Sequence, residues 1–261
     1  MPERDLVVGG IHAVRTALEL APQDALELWL RPERDSQVLE SIAALAQTLG
    51  LTVHPAELRT LDRLCGDSHH QGVVLRRRVP ANLPLHALLQ RFAGNAAVPL
   101  LLVLDGVQDP RNFGACLRAA DGAGVDAVVY PRDKSAPLSS VVAKAASGAI
   151  DSVALVTVTN LASALTALAE AGIWNIGTAH DAPTDLYGAD FSPPAALVLG
   201  GEGRGMRRLT RMRCDTLVRI PMHGRVQNLN VATAAAIGLF EARRQRSAGS
   251  HGSAAKEALQ K

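Results

Sequence analysis

The stretch Ala196-Leu197-Val198-Leu199-Gly200-Gly201-Glu202-Gly203-Arg204-Gly205-Met206 is an apolar run that ends in a glycine-rich turn carrying one carboxylate. A buried strand that ends this way offers bare backbone at its tip, and a flat ligand can lie against it. A second apolar run, residues 217–220, closes on Ile220-Pro221-Met222 and leads to Asn228-Leu229-Asn230-Val231-Ala232-Thr233, where an Ala-rich helix begins. Upstream, Leu104-Asp105-Gly106-Val107-Gln108-Asp109-Pro110-Arg111-Asn112-Phe113-Gly114-Ala115-Cys116-Leu117-Arg118 passes from a strand through a proline turn into a helix. Three strand-to-loop junctions of small and polar residues predict a ligand floor along one edge of a sheet.

The glycine turn does not fit a dinucleotide fingerprint. A GxGxxG frame starting at Gly201 meets Met206, and one starting at Gly203 meets Arg208. The Lys-Ser/Thr ending of a phosphate-binding P-loop is also missing. These failures argue against dehydrogenases and nucleotide triphosphatases. In the upstream segment, Asn112 is suited to cap the helix. Phe113, Cys116, Leu117 and Ala120 fall at helical spacing and face the core, which leaves Arg118 off the buried stripe among small residues. Read alone, Asn112 is a cap, Arg118 a surface arginine and Glu202 a turn carboxylate.

Around these motifs the chain alternates strands and helices. Apolar runs at 100–104, 127–130, 153–158, 173–178, 196–199 and 217–220 read as buried parallel strands, with helices near 112–123, 138–149, 161–171 and 231–246 between and after them. The expected fold class is therefore α/β. Residues 1–79 read as a smaller α/β unit, with helical stripes at Ile11, Val14, Leu18 and at Val38, Ile42, Leu45, Leu49, and strands at 26–30, 51–54 and 72–75. Pro80, Pro84, Gly94, Asn95 and Pro99 mark 80–98 as a linker. Residues 99–246 form the larger domain, and 247–261 read as a flexible tail.

Composition narrows the setting. With 48% apolar and 3% aromatic residues, the core must be built from Ala, Leu and Val. No run is long enough to cross a bilayer, and residues 1–8 lack the apolar core of a signal peptide. Cys65, Cys116 and Cys214 are too few and too scattered for a disulfide scaffold or a zinc site. His69-His70 after Asp67 has no second cluster to make a metal site. A reduced, cytoplasmic setting without metal or membrane is expected. Residues 1–80 carry a net −2, whereas residues 200–246 hold ten Arg against three acids, a net +7 that suits a polyanionic partner. Arg76-Arg77-Arg78 reads equally as a phosphate contact or a solvated strand end.

The three motifs, in this order, closely resemble those of the SpoU/TrmH family of RNA ribose 2'-O-methyltransferases, over residues 99–246. Val8-Gly9-Gly10-Ile11-His12-Ala13-Val14 and His70-Gln71-Gly72-Val73 resemble the branch that carries a small substrate-binding domain similar to a ribosomal L30e-like fold. The resemblance implies a SPOUT-type parallel-sheet domain with a deep trefoil knot, preceded by that L30e-like domain. It implies S-adenosyl-L-methionine as cofactor, held by Gly200, Gly201, Ile220, Leu229, Thr178 and Met222. Catalysis would fall to Arg118, Asn112, Glu202 and Asn230. The branch methylates a guanosine ribose in 23S ribosomal RNA, with a tRNA nucleotide, or a non-catalytic RNA-binding role, as the alternatives. It further implies a homodimer through the C-terminal helix. The third motif departs from the family's usual Ser-Leu-Asn-Val-Ser: Asn228 and Ala232 stand where the serines would be, and Asn228 and Thr233 are the candidates to replace their hydrogen bonds.

Overall fold

The structure, a computed structural model, describes residues 5–32, 36–66, 69–94, 98–203 and 205–258, with side chains to residue 248. Asp67, Asn95, Arg204 and residues 259–261 lie outside the described residues. The first unit contains β1 (Leu6–Gly9), α1 (Ile11–Leu20), β2 (Ala25–Leu30), α2 (Gln37–Thr48), β3 (Thr52–Pro55), α3 (Leu58–Cys65) and β4 (Val73–Arg77). After α4 (Leu85–Phe92) come β5 (Leu100–Asp105), α5 (Pro110–Gly122), β6 (Ala127–Pro131), α6 (Ser140–Ala146), α7 (Ala149–Ser152), β7 (Ala154–Val158), α8 (Leu161–Glu170), β8 (Trp174–Thr178) and β9 (Thr184–Asp185). The chain closes with β10 (Ala195–Gly200), α9 (Arg208–Met212), β11 (Thr216–Arg219) and α10 (Val231–Ala258).

Among the described residues the strands form two sheets, ordered β1-β4-β2-β3 and β7-β6-β5-β10-β8-β11-β9. The pairings within the larger sheet are all parallel. Its central strands are buried on both faces because they are nearly continuous apolar runs: all six residues of β5 are buried, five of them apolar and the last the carboxylate Asp105. Alternate side chains point to opposite faces. Leu100, Leu102 and Leu104 join the core under α5, α6 and α10, while Leu101 and Val103 join the one under α4 and α8. The chain steps outward from β5 to β6 and β7, then returns to β8 on the other side of β10. That reversal opens a crevice at the carboxyl ends of β5, β10 and β8, where ligands of open α/β sheets bind.

The small unit is not a separate body on a tether. Leu6, Val14, Leu18 and Leu75 share one continuous core with Phe113, Leu117 and Val142 of the larger unit. Arg77, fully buried at the end of β4, reaches across to Asp151 of α7 and to Asp24. Arg76 pairs with Glu27 at 2.7 Å, and Arg78 donates to the Gln23 carbonyl. The triple-arginine stretch thus closes internal bonds, and its central residue cannot grip phosphate. The His70-Gln71-Gly72 signature is structural as well. His70, buried, bonds Asp62 through Nε2 and accepts from the Gly72 N–H, while Gln71 Oε1 accepts the Ile11 N–H and so caps α1.

Other sequence expectations shift. Within the expected linker 80–98, residues 82–92 dock rather than dangle: Leu83 N–H bonds the Leu155 carbonyl, Asn82 accepts from Thr157 N–H, and Leu88 of α4 is buried. The helix expected over 138–149 breaks at Ser147 and Gly148, whose φ angles are +52° and +96°. α10 continues to Ala258, past the start of the tail expected from 247. Among the described residues no helix is long and apolar enough to cross a membrane, and none of the three cysteines forms a disulfide.

Replacing Arg77 with Ala leaves Asp151 buried opposite no cation, with burial already pushing its carboxyl above the usual range. Breaking a buried pair in this way typically costs about 3–5 kcal/mol. Urea unfolding should show a loss of that size for Arg77→Ala. A midpoint equal to wild type would show that the pair does not join the two units.

Candidate active site

The first motif begins where β5 ends. Asp109, not Asn112, caps α5: its Oδ1 accepts from Arg111 N–H at 2.8 Å and Asn112 N–H at 2.9 Å. Pro110 at the first helical position sets this start one turn earlier than the sequence suggested. Asn112 therefore sits inside the first turn with its side-chain amide released. That amide donates to Glu202 Oε1 in a short bond. Asn230, which ends the loop after β11, caps α10 by accepting from Ala232 N–H at 2.9 Å. Its Nδ2 donates to Asn112 Oδ1 at 2.9 Å and to Glu202 Oε1 at 3.2 Å. Residues far apart in sequence thus meet as one Asn–Glu–Asn cluster, with Glu202 Oε2 unbonded among the described residues. Its charge reaches the core: the Cys116 thiol is pushed up to about 12, first by burial and second by Glu202.

The turn that carries Glu202 is seated by close backbone contact. Gly201 N–H bonds the Asp105 carbonyl at 2.8 Å. A Cβ on Gly201 would lie 2.2 Å from the Gly106 carbonyl oxygen, and one on Gly200 would lie 2.0 Å from Met206 N. Only glycine fits either position. The buried Asp105 carboxylate then closes the turn by accepting Arg207 N–H at 2.7 Å and Arg207 Nε–H at 2.5 Å.

Beside the cluster opens a pocket of about 290 Å³, near the lower end for small-molecule sites. Gly200, Gly201, Ile220, Leu229, Thr178 and Met222 all line it, as does Glu202. The carboxyl ends of β8, β10 and β11 supply its floor. Leu199, Met206, Arg219 and Asn228 also line it and were not assigned to it from the sequence. Met206 follows the glycine turn directly, which was the available signal. Apolar side chains next to exposed strand-end backbone suit an aromatic ring and the aliphatic chain on a sulfonium, the groups that S-adenosylmethionine presents. Asn228 is exposed in the pocket lining and makes no bond to the cluster among the described residues, and Thr233 lies outside the lining.

Arg118 stands apart. It is exposed and makes no hydrogen bond or ion pair with the described residues. Six residues beyond Asn112, it is roughly 9 Å further along α5 and a third of a turn away around it. A single chain does not bring it to Glu202. No group of three or more His, Cys, Asp or Glu residues able to hold a metal occurs among the described residues.

Comparison with known proteins agrees with this geometry. Residues 99–240 match the model of the SpoU rRNA Methylase family, and residues 7–78 match the model described as RNA 2'-O ribose methyltransferase substrate binding. A relative from Shewanella oneidensis, named 23S rRNA (guanosine-2'-O-)-methyltransferase RlmB, is 44% identical over 94% of this chain and 99% of its own. A relative of the same name from Ralstonia nicotianae is 48% identical over 91% of this chain and 95% of its own. Among solved structures, the SpoU methyltransferase AviRb from Streptomyces viridochromogenes in complex with AdoMet superposes with a TM-score of 0.77 at 26% identity, covering 93% of this chain and 90% of that one.

The seating of the glycine turn can be tested against the pocket. Gly201→Ala should weaken S-adenosylhomocysteine binding, measured by calorimetry, at least tenfold, or about 1.4 kcal/mol. Gly224→Ala, whose added Cβ meets nothing within 4 Å, should bind as wild type does. Equal affinity in all three proteins would disconnect the turn from the pocket.

Proposed function

The chain belongs to the SpoU rRNA methylase family, and on that footing we propose that it transfers a methyl group from S-adenosylmethionine to the ribose 2'-hydroxyl of a guanosine in 23S ribosomal RNA. The observation that carries this reading is the pocket at the ends of β8, β10 and β11 opening directly onto the Asn112–Glu202–Asn230 cluster. A non-catalytic RNA binder has no use for a preserved small-molecule pocket beside three mutually bonded polar side chains. The tRNA alternative is less favoured, because the relatives that match nearly the whole chain carry a 23S rRNA name.

When bound, the cofactor supplies a methyl on a positively charged sulfur that is already activated toward an oxygen nucleophile. What remains for the chain is to orient the ribose and ease loss of the hydroxyl proton. Alignment of two reacting centres is worth several kcal/mol by itself, about 7–11 in well-oriented cases. The two asparagines hold Glu202 Oε1, so its free Oε2 can accept a ribose hydroxyl in one orientation. A guanidinium is a poor proton acceptor and a strong donor of charge-assisted hydrogen bonds; Arg118 has that chemistry. It is therefore suited to stabilise the developing oxyanion and to hold a neighbouring phosphate, not to act as the base.

Because Arg118 makes no bond to Glu202 within one chain, this reading includes a homodimer through α10 in which the RNA site is shared. Phe240, 51% exposed on α10, supports that surface. The reading also includes a knot. β11 lies between β8 and β9, so residues 179–183 must bridge over it, and Ala179 N–H and the Ala182 carbonyl bond Val218 and Arg219 as they do so. Residues 1–79 would serve as an L30e-like RNA-binding domain in front of the methyltransferase domain at 99–246. A ribosomal RNA substrate places the reaction in the cytoplasm, with no membrane or metal partner.

Incubation with labelled S-adenosylmethionine and ribosomal RNA, followed by nucleotide mapping, should put the label on the ribose 2'-oxygen of a guanosine in 23S rRNA. Label on a base, or on tRNA alone, would overturn the reading. In single-turnover measurements Arg118→Ala should slow the transfer by roughly 10²-fold or more, with Arg118→Lys rescuing it poorly and cofactor affinity unchanged. Wild-type rates would remove Arg118 from the chemistry. Light scattering at micromolar concentration should give twice the 27.5 kDa chain mass. A fully active monomer would contradict the shared site.

A further inference from the structure

Five of the ten arginines in residues 200–246 are engaged by the fold. Arg211 forks onto Asp181 with two 2.9 Å bonds, Arg219 pairs with Asp185, and Arg244 pairs with Glu241. Arg243 and Arg246 donate to main-chain carbonyls, including those of Ala123 and Pro99. Two neighbours behave differently. Arg207 commits its backbone N–H and Nε to Asp105, yet its side chain is 44% exposed and its terminal amino groups are unbonded among the described residues. Arg208 makes no hydrogen bond or ion pair with the described residues at all.

These two arginines line a second cavity of about 350 Å³ with Thr159, Asn160, Leu161 and Leu209, and no carboxylate lines it. The cavity lies where α8 and α9 begin, at the carboxyl edge of the larger sheet. α8 packs on the face opposite α5 and α10. Its chemistry is specific: guanidinium forks for a singly charged oxyanion, hydroxyl and amide groups for further hydrogen bonds, and the exposed side chain of Leu209 as an apolar rest. Asp105 holds Arg207 in place before any ligand arrives, so little side-chain entropy is lost on binding. The same carboxylate closes the turn that carries Glu202, so cavity and reaction centre are tied to one anchor.

We propose that this cavity is a phosphodiester subsite for the RNA strand flanking the target ribose, with Arg208 as the principal contact and Arg207 as its pre-set partner. It rests on the RNA methyltransferase reading above. The strand then passes from the Asn–Glu–Asn cluster over the carboxyl ends of β5 and β10 into the cavity. Because Arg208 supports nothing in the fold, Arg208→Ala is the clean variant, and Arg208→Glu is the stronger one.

The test uses the full chain and in vitro transcribed 23S rRNA, with binding measured across a salt series and S-adenosylhomocysteine calorimetry as the control for folding. Arg208→Ala should bind RNA several-fold more weakly, and its slope of log affinity against log salt should fall by about 0.7–0.9, the signature of one lost phosphate contact. Arg208→Glu should bind more weakly still, and both variants should bind S-adenosylhomocysteine as wild type does. RNA affinity and slope equal to wild type in both variants would overturn the subsite while leaving the methyltransferase reading intact. If wild type itself neither binds nor methylates ribosomal RNA, that reading falls and the subsite falls with it. Inorganic phosphate titration supplies the other arm: phosphate binding that Arg208→Ala abolishes without changing RNA affinity would identify a free-anion site and also overturn the proposal.

Discussion

Backbone packed directly on backbone at the end of β10 is the constraint on which the site depends. Gly200 and Gly201 approach Met206, Gly205 and Gly106 so closely that no side chain fits between them, and Asp105 fastens both ends of the turn, through its carbonyl to Gly201 and through its carboxylate to Arg207. From this seating follow the place of Glu202, the floor of the pocket beside it and the direction of the Arg207 side chain. An anchor of this kind needs a dry strand end. It has one because β5 is apolar up to Asp105 and β10 up to its terminal glycine, and both strands are covered on both faces.

The rest of the molecule keeps that strand end in place. The reversal of chain direction across β10 opens the crevice, and α5 and α10 each deliver one asparagine to it from a capped first turn. The small unit contributes through a shared core and the buried Arg77–Asp151 pair, so it is built into the methyltransferase half rather than hung from it. A removal experiment on residues 1–79 would consequently expose core residues and an uncompensated aspartate, and it would report on folding as much as on RNA recognition.

Much of this was legible in the sequence, for reasons that can be named. Strands buried on both faces announce themselves as unbroken apolar runs, and β5, β6, β7, β8, β10 and β11 fell where those runs lie. The six residues expected at the cofactor come together around one cavity, because glycine and apolar residues at strand ends leave a local signal. The misreadings came from long-range effects. Arg76-Arg77-Arg78 looked like a charged surface stretch because nothing local says that Asp151, seventy-four residues away, will bury the middle one. The cap of α5 was given to Asn112 because Asp109 sits before a proline and reads first as a turn. β9, two residues long, is too short for periodicity to reveal, and the break at Ser147-Gly148 depends on positive φ angles that composition does not encode. The position of Arg118, off the Asn–Glu–Asn cluster within a single chain, is visible only in three dimensions.

The central claim is that Asp105 seats the glycine turn and thereby assembles the site. It is tested most directly by hydrogen exchange at the Gly201 and Arg207 amides, read alongside S-adenosylhomocysteine affinity, in wild type and in Asp105→Ala. The account predicts that both amides are protected in wild type and exposed in the variant, with affinity falling at least tenfold, about 1.4 kcal/mol, while the amides of α5 and α8 stay protected. An Asp105→Ala protein that keeps both amides protected and binds the ligand as tightly as wild type would contradict it.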